Sequence, residues 1–115
     1  MALTVKTIFT QYGTRPASEE RVFSEKVELT HSPDEMQSGY MEVAADASDV
    51  AIAFGPVTTA NEVTIFSDKA LSFKLNGIAT GIVVKTLVIT DGAITAITVS
   101  GTGEAAIMRY HLLGV

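Results

Sequence analysis

The sequence contains no cysteine and no tryptophan in its 115 residues. Without cysteine there is no disulfide framework, no thiolate nucleophile and no thiolate metal site. The fold must hold by burial, hydrogen bonding and any contact with a partner subunit. Aromatic residues make up 7% of the chain against 47% hydrophobic residues, so the apolar mass is Val, Ile, Leu and Ala. Such short, often β-branched side chains suit strands. Basic residues are also scarce: 8 Lys and Arg stand against 13 Asp and Glu, a net charge of -5. A net-acidic chain with no basic patch is poorly suited to nucleic acid, whose phosphates need Lys and Arg. Long apolar runs are missing too. The longest, Gly81 to Ile89, is interrupted by Lys85 and Thr86 and is too short to span a bilayer. The start, MALTVKTIFTQYG, lacks a basic region followed by an apolar run. The expectation is a soluble protein made in the cytoplasm, with no nucleic-acid or membrane partner.

Charge is unevenly placed. Residues 1–50 hold four basic and nine acidic side chains, whereas residues 51–115 hold four of each. The acidic half reads either as a solvated face or as an edge turned toward a basic partner, since net charge reports solubility and steering rather than fold.

What the chain does have is alternation. From Val50 to Leu75, Val50, Ile52 and Phe54 alternate with Ala51 and Ala53. Val63 and Ile65 flank Thr64, and Leu71, Phe73 and Leu75 alternate with Ser72 and Lys74. This is period two, the repeat of a half-buried strand, and it predicts three consecutive strands. Thr4 to Thr10 reads as an earlier strand. Gln11 to Glu20 is polar, contains Gly13 and Pro16, and reads as a connection or an arm ordered against a partner. Ser18 followed by Glu19, Glu20 and Arg21 offers a cap for a short helical turn. Arg21 to Thr30 alternates imperfectly and suits a sheet edge.

Ser32 to Glu35 reads as a turn, with Pro33 fixing φ, and Ser38-Gly39 as a further break before a strand over Tyr40 to Ala45. Asp46 to Asp49, Asn76-Gly77 and Asp91-Gly92 are turn signals. Gly81 to Thr90 reads as a central strand buried on both faces, with Lys85-Thr86 marking a bulge or break. Ile94 to Ser100 is a strand and Ser100 to Gly103 a loop. Glu104 to Leu113 alternates Ala106, Met108, Tyr110 and Leu112 against Ala105, Ile107, Arg109 and His111. Its residues also have helix propensity, but alternation favours a strand that closes the sheet. About eight short strands with regular turns indicate an all-β fold, an antiparallel β-sandwich of jelly-roll kind. The organisation expected is an N-terminal strand or arm with a polar connection over residues 1–20, then one sandwich domain over residues 21–115.

Reaction chemistry is sparse. His31 and His111 have no partners at zinc-ligand spacing. Asp46, Asp49 and Asp68 are turn carboxylates that calcium favours, but without the spacing of a calcium loop; turn residence explains them. There is no G-x-S-x-G motif. The pairs Glu19-Glu20 and Asp34-Glu35 lie in polar loops rather than an apolar pocket. Gly101-Thr-Gly103 precedes neither a lysine nor a helix. Tyr12, Tyr40, Tyr110 and the five Phe read as core packing rather than a sugar platform. No catalytic, cofactor-binding or metal residue is assigned, no cofactor is expected, and an enzyme is not expected.

The stretch Val57-Thr-Thr-Ala60, then SDxxLxxKLNG from Ser67 to Gly77, ITAITVSGTGEA from Ile94 to Ala105, and Leu112-Leu-Gly114 resembles small β-sandwich structural proteins of tailed-bacteriophage virions. The resemblance covers roughly residues 42–114. It implies a non-enzymatic virion component, foremost a capsid decoration or cement protein that binds and stabilises the assembled head. The implied partners are copies of itself, as homotrimer or homodimer, and the major capsid protein or another virion protein. The implied location is the virion. A tail, fibre or baseplate accessory is the near alternative, and a carbohydrate-binding β-sandwich the more distant one.

Overall fold

The computed structural model describes residues 4–15 and 20–115, with side chains outside residues 12–15 and 20–25. Every regular element among them is a strand: β1 (Val5–Arg15), β2 (Glu20–His31), β3 (Glu35–Val43), β4 (Val50–Ala51), β5 (Ala60–Leu75), β6 (Ile82–Ile89), β7 (Ile97–Ser100) and β8 (Ala106–Gly114). All pairings are antiparallel. The chain divides between Pro33 and Asp34 into two compact units.

The first unit is a two-stranded ribbon of β1 and β2, running from Val5 opposite His31 to Arg15 opposite Glu20. Residues 11–15, expected as a connection, thus belong to β1. The alternation Gln-Tyr-Gly-Thr-Arg is too polar to look like a strand, but cross-strand hydrogen bonding needs no apolar face. Likewise β2 pairs with β1 and does not edge the larger sheet. The helical turn suggested at Ser18 and Glu19 lies outside the described residues, and Glu20 and Arg21 already belong to β2. On one face of the ribbon Phe9 sits opposite Val27 and Thr7 opposite Leu29; on the other lie Lys6, Ile8 and Glu28. Lys6 pairs with Glu28 at 2.8 Å, on that polar face. None of the unit's described side chains is fully buried.

The second unit is a single curled six-stranded sheet ordered β3-β8-β5-β7-β4, with β6 also paired to β5. Its organiser is β5. The sequence predicts separate strands around Val63–Ile65 and Leu71–Leu75, with Asp68 in a turn between them; the structure makes one 16-residue strand. Val63 to Phe66 pair with Ile89 to Thr86, and Leu71 to Phe73 with Val84 to Ile82, so Ser67 to Ala70 bulge out against Lys85. Ser67 Oγ donates to the Lys69 carbonyl at 2.7 Å and closes the bulge. The excursion keeps Val63 and Ile65 inward before it and Leu71 and Phe73 inward after it, all fully buried. On its other side β5 pairs first with β8 and then, from Ser72 to Leu75, with β7. Changing neighbours along one strand is what curls the sheet around its inner face.

That inner face carries the core: Val63, Ile65, Leu71 and Phe73 from β5, Met108, Tyr110 and Leu112 from β8, and Ile97 and Val99 from β7. The alternation read in the last strand is therefore realised, but β8 is central, between β3 and β5, and does not close an edge. The reverse holds for β6, expected as central. It pairs with β5 alone, and its Ile82 and Val83 are exposed. A continuous β-branched run reports strand propensity, not the number of neighbours. The strand expected from Val50 to Phe54 shortens to Val50 and Ala51; Ile52 still reaches the core and donates to the Ile97 carbonyl at 3.0 Å.

Of the expected turns, Ser38-Gly39 differs and Asn76-Gly77 forms. Gly39 was read as a break but lies inside β3, opposite Tyr110. A Cβ at this position would run into the Tyr110 ring, so the glycine makes room for an aromatic residue. Asn76 and Gly77 both take positive φ, 52° and 75°, as a tight turn asks. Asn76 also acts at a distance: its Oδ1 accepts from the Thr95 N–H at 2.7 Å and its Nδ2 donates to the Ala93 carbonyl at 3.0 Å.

Candidate functional site

Strand parity decides which side chains leave the outer face of the second unit. Inward positions on β8 are even-numbered, so Ile107, Arg109 and His111 point outward. On β3 the outward set includes Ser38, Tyr40 and Glu42, and on β5 it includes Thr64 and Phe66. Register then places these residues in rows across three strands. Tyr40 and Phe66 flank Arg109, and Ser38 and Thr64 flank His111. Glu42 lies opposite Ile107, and Asp68 accepts a hydrogen bond from the Ile107 N–H at 2.8 Å.

The result is an aromatic and aliphatic surface around one guanidinium. Tyr40 is 61% exposed, Phe66 42% and Ile107 45%. Arg109 and Glu42 make no ion pair, with each other or with any described residue. Two open clefts share Asp68 and Ile107 in their walls. One, of about 420 Å³, is lined by Glu42, Ala44, Ala105 and Ala106; the other, of about 410 Å³, by Phe66, Ser67 and Arg109. Tyr, Phe and Arg are residue types enriched in protein interfaces, and here one of each is exposed on the same face.

The other candidates are dispersed. His111 Nδ1 lies 2.9 Å from Ser38 Oγ, a hydrogen bond on the outer face. His31 ends β2, in the other unit. Asp49 takes positive φ in its turn and pairs with Lys74 at 3.0 Å, while its backbone N–H donates to Ser100 Oγ. Asp46 is exposed, and Asp68 is committed to the start of β8. Among the described residues no three His, Asp or Glu side chains gather as metal ligands would. Asp34 and Glu35 are exposed. Glu19 and the side chains of Glu20 and Tyr12 lie outside the described residues.

For the aromatics the expectation needs correcting. Tyr110 and Phe73 are core residues, but Tyr40 and Phe66 are not. Sequence reasoning missed the face because its members come from three strands separated by up to 69 positions. The available signal was local: Tyr40 shares parity with Glu42, and Phe66 is out of phase with Val63 and Ile65. Comparison of the chain with protein-family models, with curated proteins and with solved structures finds no match.

Proposed function

We propose that this chain is a non-enzymatic structural component of a tailed-bacteriophage virion, foremost a capsid decoration or cement protein that binds the assembled head. The observation that carries the reading is the first unit. A two-stranded ribbon has no interior of its own and is marginal in water. Here none of its described side chains is fully buried, and Phe9 and Val27 are exposed side by side on one face. A segment of that kind gains order by lying against a neighbour, at the cost of its ordering entropy. The second unit supplies the rigid body. We read its curled sheet as a β-sandwich of jelly-roll kind, in which the β8 half and the β7 half of β5 close on one core. Its location is then the virion and its partners are its own copies and the major capsid protein.

Cosedimentation with heads assembled from the capsid protein of the same genome tests this. The wild-type chain is expected to pellet with heads, and Phe9→Ser with Val27→Ser to lose most of that binding while the second unit keeps its melting temperature. A chain found in tails or baseplates and not on heads would move the reading to the tail-accessory alternative. A second reading, carbohydrate binding, draws on one observation: Tyr40 and Phe66 are exposed on one sheet face. Sugar-dependent quenching of tyrosine fluorescence that Tyr40→Ala abolishes would favour it.

A further inference from the structure

The outer face of the second unit has a pattern that is complementary to itself. Tyr40–Arg109 and Glu42–Ile107 are adjacent cross-strand pairs. Strand spacing is about 4.8 Å and same-face residues along a strand lie about 6.8 Å apart, so the four side chains form a rough square. One diagonal joins Tyr40 to Ile107, both exposed and apolar in body. The other joins Arg109 to Glu42, opposite charges that make no ion pair with each other or with any described residue. Phe66 stands one strand beyond Arg109. Ala44 stands one row beyond Glu42, in the wall of the 420 Å³ cleft with Ala105 and Ala106.

A twofold axis lying in the face along the Tyr40–Ile107 diagonal exchanges the remaining positions in pairs. Tyr40 then meets Tyr40 of the second copy, and Ile107 meets Ile107. Each Arg109 faces Glu42 of the other copy, and each Phe66 ring faces the other copy's alanine-lined hollow. That is the requirement of an isologous interface, in which one patch must complement itself. We propose that this face is the interface of a homodimer, the occupant being a second copy of this chain. A sugar would use Tyr40 and Phe66 but gives no role to the crossed charges or to the hollow. The inference stands on this face and holds or fails independently of the virion reading.

Sedimentation equilibrium of the full chain tests it, with circular dichroism melting to confirm that each variant folds. The wild type is expected to show a reversible monomer–dimer equilibrium. Arg109→Glu alone, or Glu42→Arg alone, places like charges together at two symmetric points and is expected to raise the dissociation constant at least about tenfold. The double reversal is expected to restore association. Phe66→Ala, which adds no charge, is expected to weaken it too and serves if a reversal fails to fold. A wild type that stays monomeric to about 1 mM overturns the proposal, whether or not a glycan or another protein occupies the face. So does a trimer, association untouched by the single reversals, or a double reversal that fails to rescue.

Discussion

The two units are written in the same alphabet and end in opposite states. Both alternate apolar and polar residues, and both form antiparallel strands. In the ribbon of β1 and β2 alternation sorts Phe9, Val27 and Leu29 onto one face and Lys6 and Glu28 onto the other, but there is no further layer within the unit to cover the apolar side. In the second unit the same alternation feeds a sheet that curls around its inner face, and Phe73, Ile65, Met108 and Leu112 lose all contact with water. The difference is neighbour number. Strand pattern makes an amphipathic ribbon; only a strand long enough to serve several partners, here β5, turns the pattern into a core. The ribbon thus has no core within its own unit, whereas the second unit has one and keeps Tyr40, Phe66 and Ile107 exposed on its outer face.

The contrast can be broken from the core side. Phe73→Ala empties the largest fully buried side chain and is expected to cost about 3–5 kcal/mol, read by denaturant unfolding of the second unit. Loss of under 1 kcal/mol would mean that the core is not the source of stability. Gly39→Ala drives a methyl into the Tyr110 ring and is expected to cost about 1–3 kcal/mol as overpacking. An unchanged unfolding midpoint would show that the β3–β8 pairing tolerates a shifted tyrosine. Asn76→Ala removes the side chain that holds the Ala93 carbonyl and the Thr95 N–H and is expected to cost about 1–2 kcal/mol. Asn76→Gly keeps the positive φ accessible and loses only the clasp, so its unfolding curve separates the two contributions.

How much of this was legible follows the same physics. Period two was visible wherever one face is buried, hence the all-β class, the inward residues of β5 and β8, and the Asn76-Gly77 turn. Pairing was not visible, because neighbour choice depends on residues far apart in the chain. That is why β6 read as central and β8 as an edge, and why the bulge at Ser67 to Ala70 read as a turn between separate strands. Gly39 misled for a related reason: its role is set by Tyr110, 71 positions away. The candidate face was least legible. Arg109, Tyr40 and Phe66 look unremarkable in their own segments, and only the β3-β8-β5 register makes them neighbours.

Hydrogen exchange of the isolated chain, read segment by segment, tests the central distinction most directly. The account expects amides of β5 and β8 to exchange only through global unfolding, and those of residues 5–11 and 26–31 to exchange orders of magnitude faster, gaining protection when assembled heads are added. Ribbon amides as protected as those of β8 in the free chain would contradict it.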